Sequence, residues 1–150
     1  MSTDPAREVE LNRLEDQFGV LLRRSRRSMR RFAERVHPEM EASGYPVLMV
    51  LTQAAPLRLG DLAEEFGLDK STMSRHVTSL IQLGLVCREP DPQDGRAFLL
   101  RPSEDGRRRL AAVTDARRIE WRGRLDNWTT DELAVFVNGL TRLNADLDRD

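Results

Sequence analysis

Two groups of side chains in this chain could together recognise a phosphate polymer. The first is Ser71, Thr72, Arg75, Thr78, Ser79 and Gln82, interleaved with Met73, Val77, Leu80 and Leu83, which recur at helical spacing. That pattern predicts a helix with one apolar stripe. Its other face offers hydroxyls, an amide and a guanidinium with no carboxylate, which suits a groove lined by phosphates and floored by base-edge donors and acceptors. The second group centres on Arg96 in the stretch PDPQDGR, flanked by strand-like residues 85–89 and 97–101. Pro90 and Pro92 are expected to end a strand and Asp94-Gly95 to form the hairpin turn, which puts Arg96 at or just past the tip. A guanidinium held out in this way can enter a narrow A·T-rich minor groove, where the negative potential is enhanced. An exposed arginine alone is ordinarily just solvated, so it is the pairing with the polar helix that points to DNA.

These groups need a frame, and the residues before them supply it. Leu62, Ala63 and Phe66 followed by Gly67 predict a helix of about two turns that stops where glycine can adopt a left-handed conformation. Asp69 can accept the unpaired amides at the start of the second helix, and Gly84 marks its end. Ala63 is small where the two helices must cross. Helix, glycine-containing turn, polar helix and hairpin together make a winged helix-turn-helix signature. Gly60 falls where an N-cap is expected for the first helix.

The rest of the chain reads as helix. Asp4 is a candidate N-cap with Pro5 as first helical residue, and Leu11, Leu14, Phe18, Leu21, Met29, Phe32 and Val36 step along a nearly heptad seam. Arg23, Arg24, Arg26, Arg27, Arg30 and Arg31 cover the other faces of that helix and are expected to be a solvated, acid-paired surface rather than a DNA contact. His37-Pro38 should end it, and Ser43 should cap the next, which stops near Ala55-Pro56. Ser103 should cap a later helix bearing Leu110, Val113, Ala116 and Ile119, and Thr130 a last one bearing Leu133, Phe136, Val137, Leu140, Leu143 and Leu147. The terminal helices carry more apolar surface than a domain of this size can cover, and dimerisation is the simplest remedy.

Residues 46–107, above all DLAEEFGLDKSTMSRHVTSLIQLGLV, the wing residues Asp91-Pro92-Gln93-Asp94-Gly95-Arg96 and the Ser103 to Gly106 turn, resemble the winged helix-turn-helix of the multiple antibiotic resistance regulator (MarR) family. The resemblance implies a mainly α fold with a small antiparallel β-wing, in one domain over 1–150. Residues 46–107 would be the DNA-binding lobe, 1–37 and 108–150 the dimerisation helices, and 57–59 a short third strand. It also implies a homodimeric bacterial transcription regulator of double-stranded DNA, usually a repressor, often released by a small aromatic or phenolic effector. By position, Ser71, Thr72, Ser74, Arg75 and Thr78 would meet the major groove with Lys70 beside them, Arg96 would be the minor-groove arginine, and Asp94 would hold it. An effector would meet Phe32, Val36, His37, Tyr45 and Met49, residues that would otherwise be plain core.

Composition narrows the function classes. The net charge of −1 conceals a basic segment, since residues 70–109 hold Lys70 and seven arginines against five acids. Cys87 is the single cysteine, which excludes an internal disulfide and reads as a small strand residue rather than a redox sensor. No apolar run approaches the ~20 residues of a membrane span, and no secretory signal is expected, so the chain reads as cytoplasmic. His37 and His76 are the only histidines, too few and too scattered for the ligand set of a structural zinc, and no catalytic constellation or cofactor fingerprint is present. No metal, cofactor or enzymatic activity is therefore expected. The rival to a DNA-binding regulator is a winged-helix module that binds protein instead.

Overall fold

Asp4 accepts the amide of Ala6 at 3.0 Å, and from that cap helix α1 runs Pro5–Val36 in a computed structural model that describes residues 4–149. His37 stops it in an extended conformation. Helix α2 follows as Gly44–Gln53, strand β1 as Leu57–Arg58, helix α3 as Leu59–Glu65 and helix α4 as Lys70–Gln82. Strands β2 (Val86–Asp91) and β3 (Asp94–Pro102) form the wing, and helices α5 (Glu104–Arg124) and α6 (Thr130–Leu147) complete the order. The fold is mainly α with a small antiparallel sheet, ordered β1-β3-β2.

Both helices of the central pair end in the same way, and for the same reason. Gly67 and Gly84 adopt φ of 60° and 71°, which lets Leu68 reach back to the Ala63 carbonyl and Leu85 to the Leu80 carbonyl, each at 2.9 Å. These are Schellman closures, which satisfy carbonyls the helix end would leave unpaired. The pair then packs its apolar faces into one core. Tyr45, Leu48, Leu51, Leu62, Met73, Leu80 and Leu85 are its largest fully buried members. Gly106 lets α5 start against this core, because a Cβ there would lie 2.2 Å from the Leu85 carbonyl oxygen. Ser103 ties the same corner by accepting the Gly106 amide and donating to the Gly84 carbonyl.

Five boundaries differ from expectation. Ser43 precedes α2 but does not cap it, since its backbone is already helical, with φ −67° and ψ −24°, and its hydroxyl meets His76 Nδ1 at 3.2 Å instead. Arg58, not Gly60, is the N-cap of α3, because β1 passes directly into the helix and leaves Gly60 inside its first turn. Pro90 does not end a strand. It lies within β2 opposite Phe98, tolerated because β2 is an edge strand. The hairpin turn is Pro92-Gln93 between paired Asp91 and Asp94, and Asp94-Gly95 instead opens β3. Aspartate followed by proline suits the first two positions of a common β-turn, and the Asp91 carboxylate accepts the Gln93 amide at 2.8 Å. Last, Thr129 rather than Thr130 caps α6, because only from 129 does the reciprocal partner, Glu132, stand three residues on.

The chain divides into two compact units, Met1–Val113 and Thr114–Asp150. All of the buried apolar core lies in the first, whereas α6 buries no residue. No helix among the described residues is long and apolar enough to cross a membrane.

Candidate nucleic-acid interface

Burial fixes which face of α4 is offered outward. Met73, Val77 and Leu80 are at most 1% exposed, so Lys70, Ser71, Arg75 and Thr78 must face solvent, with Thr72 and Ser74 half-buried at the margin. The N-terminal corner of this face is closed by Asp69. Its carboxylate accepts the Ser71 hydroxyl at 2.5 Å, the Thr72 hydroxyl at 2.7 Å and the Thr72 amide at 2.8 Å. Those bonds, the Ser71 hydroxyl first, hold Asp69 far below the usual carboxylate range. Arg75 Nη2 in turn donates to the Thr72 hydroxyl oxygen at 3.3 Å. Ser71 and Thr72 have thus already given their hydroxyl hydrogens to Asp69. The donors this face can turn to a phosphate or base include Lys70, Ser74, Thr78 and the remaining N–H groups of Arg75, with the exposed Gln82 and half-buried Ser79 further along the helix.

The wing presents Arg96 on a bulge. Pro90 pairs with Phe98 and Asp91 with Asp94, so residues 95–97 stand opposite a single peptide step and are pushed out of the ladder. Such a bulge re-aims side chains. Asp94 Oδ1 accepts the Arg96 amide at 3.1 Å. Asp94 therefore holds Arg96 by its backbone rather than its guanidinium.

Sequence reasoning did not find what lies beneath the tip. Asp91 is only 6% exposed, and its Oδ2 accepts from Arg58 Nε at 2.7 Å and from Arg58 Nη2 at 2.5 Å. The Gln93 amide and Arg58 together lower the Asp91 carboxyl from its ordinary value, and the hydrogen bond to Asp91 raises that of Arg58. The only sequence hint was an aspartate preceding Pro92 at a turn; nothing local links residue 58 to residue 91.

Internal pairing also refines the charge count. Arg101 Nε lies 2.6 Å from Glu89 Oε2, while Arg108 and Arg109 both pair with Asp105. Among the described residues, Lys70, Arg75, Arg88, Arg96 and Arg107 have no ion-pair partner, and the first, second and fourth are the cations singled out from sequence. The five residues considered for an effector sit elsewhere. Phe32, Val36 and Tyr45 are buried core, with the two rings 5.6 Å apart; Met49 packs at its edge, and His37 accepts the Glu39 amide. Among the described residues no group of three or more His, Cys, Asp or Glu could hold a metal ion.

Residues 40–97 match a family model described as the MarR family. The chain is also 36% identical over 105 residues to YxaD, an uncharacterized HTH-type transcriptional regulator of Bacillus subtilis (strain 168), an alignment covering 70% of this chain and 73% of YxaD. The chain belongs to the MarR family. It is a DNA-binding transcription regulator of the MarR type, not an enzyme. Solved structures agree on the MarR fold. A probable transcriptional regulator from Pseudomonas aeruginosa is 28% identical, with a TM-score of 0.63 over 87% of this chain and 98% of its own. Streptococcus pneumoniae FabT, in a crystal structure in complex with DNA, is 16% identical, with a TM-score of 0.82 over 92% of this chain and 97% of its own.

Proposed function

We propose that this regulator binds a pseudo-palindromic duplex as a homodimer, each subunit laying α4 in the major groove and passing Arg96 into the adjacent minor groove. The observation that carries the reading is the pairing pattern. Acids pair with Arg58, Arg101, Arg108 and Arg109, while Lys70, Arg75 and Arg96 stay exposed and without an ion-pair partner among the described residues, as do Arg88 and Arg107. FabT, of the same fold, has been crystallised in complex with DNA. The dimer is supported by apolar side chains left open on the terminal helices, with Ile119 72% and Val135 74% exposed. Two α4 helices would then read half-sites about one turn apart, roughly 34–36 Å. Repression follows if the operator overlaps a promoter, in the cytoplasm where the DNA lies. A small aromatic effector would act at Phe32, Val36, His37, Tyr45 and Met49 by competing with the Phe32–Tyr45 ring contact.

The test is selection from a random duplex pool, followed by titration of the winner across salt. The expected motif is two-fold related, and affinity should fall steeply with salt. Arg96→Ala should weaken binding by roughly 5–150-fold and flatten the salt slope, whereas Arg75→Ala should also relax base preference at one position in each half-site. Unchanged operator binding by Arg96→Ala at every salt concentration would remove the wing from the interface. Enrichment of no sequence by folded, dimeric protein would remove the sequence-specific reading itself.

A further inference from the structure

Arg58 stands where two parts of the lobe meet. It is the last residue of β1, paired with Leu99 of β3, and also the N-cap of α3, the first helix of the helix-turn-helix pair. From that place its side chain crosses to Asp91, at the closed end of the wing, and gives one carboxylate oxygen both Nε and Nη2. The other oxygen of Asp91 accepts the Gln93 amide inside the turn. The regular ladder has ended by this point, since after Pro90–Phe98 only Asp91 and Asp94 still pair and residues 95–97 bulge out. Among the described residues, Arg58–Asp91 is the one ion pair tying the end of the wing to the helix pair. A two-N–H contact to one carboxylate also fixes direction as well as distance. Arg58 further offsets charge: Asp94, beside Arg96, adds to the electrostatic field at its guanidinium. Two carboxylates at a tip that must approach phosphates would otherwise oppose it.

We propose that Arg58 is a positioning residue for DNA binding, which through Asp91 sets the angle at which the wing presents Arg96 relative to α4. The proposal rests on the minor-groove role of Arg96 given above. Arg58 acts through the wing and touches no base.

A double-mutant cycle on the selected operator duplex tests it, using full-length wild type, Arg58→Gln, Arg96→Ala and the double variant. Arg58→Gln keeps most of the stem and removes the charge. It should weaken binding by a factor close to that of Arg96→Ala, and the double variant should be no weaker than Arg96→Ala, because a mispositioned arginine and a missing one lose the same contact. Base preference at the Arg75 position should stay intact, a readout that general loosening of the lobe would change. If the two losses multiply in the double variant, Arg58 acts independently of the wing and the proposal fails. If Arg96→Ala itself costs nothing, the minor-groove reading fails instead, which the same titrations reveal separately. Should Arg58→Gln prove unfolded by circular dichroism, Arg58→Lys enters the same cycle. It keeps the charge but has one nitrogen in place of the rigid two-nitrogen fork, so partial loss, again absent on the Arg96→Ala background, supports the proposal and multiplying losses overturn it.

Discussion

The lobe around α3 and α4 and the terminal segment around α6 treat their apolar side chains in opposite ways. In the lobe, Leu62, Met73 and Val77 are 0% exposed, and both helix ends close on their own carbonyls. In the terminal segment, Val135, Phe136, Val137 and Leu147 lie between 49% and 74% exposed on a helix that buries nothing. Yet α6 is as carefully started as α4. Thr129 and Glu132 satisfy each other's amides, as Asp69 satisfies that of Thr72. The difference teaches that local signals set where a helix starts, while a partner surface gives its apolar face a place to pack and most of its stability. The lobe contains its partner surfaces; in the proposed homodimer, a second copy would supply those of α6.

The largest expected effect is in the lobe. Leu62→Ala leaves a cavity in a site with no exposure and should destabilise the fold by about 2–5 kcal/mol, whatever the protein concentration. Denaturant melts at two concentrations read this directly. Phe136→Asp should act through association instead, converting dimer to monomer in sedimentation experiments and lowering operator affinity while the lobe melts as before. If Phe136→Asp remained dimeric at nanomolar concentration and bound as the parent does, the open apolar face of α6 would not be the interface.

What was legible in the sequence divides along the same line. Helix ends written by one residue and its near neighbours were readable: Asp4, Asp69, Ser103, Gly67 and Gly84 all do what their types predict. Misreadings arose where two local signals compete. Asp94-Gly95 is a good turn pair, but Asp91-Pro92 three residues earlier is also one, and the Asp91 side chain decides for it by taking the Gln93 amide. Thr129 and Thr130 differ only in which has glutamate three residues on. The candidate DNA face was legible by type and spacing, but its hydrogen-bond state was not. That Ser71 and Thr72 donate to Asp69, and that Arg58 reaches Asp91, depends on side-chain directions and on strand order.

The smallest effect concerns acid. Asp69, Asp91 and Asp105 in the first unit, and Glu132 in the second, are all held below their ordinary values by hydrogen bonds to their ionised forms, those to Asp91 and Asp105 including arginine donors. Unfolded carboxyls of these types take up protons near pH 3.9–4.3. Each depressed group therefore adds stability that is complete above that range and is lost as pH falls towards its folded value, because the unfolded chain binds the proton first. Three of the four belong to the unit that holds the core, so acid should loosen the reading lobe more than it frays α6. Asp69→Asn isolates one of them. Asparagine also caps helices well, so stability at pH 7 should change little, while the slope of stability against pH below about 4 should become shallower by the linkage of a single proton. Hydrogen exchange of the α4 amides against those of α6, followed from pH 5 to pH 3, gives the same comparison by region. An unchanged slope in Asp69→Asn would mean that the Ser71 and Thr72 hydroxyls do not stay on Asp69 in solution, and would return both to the set of donors available to DNA.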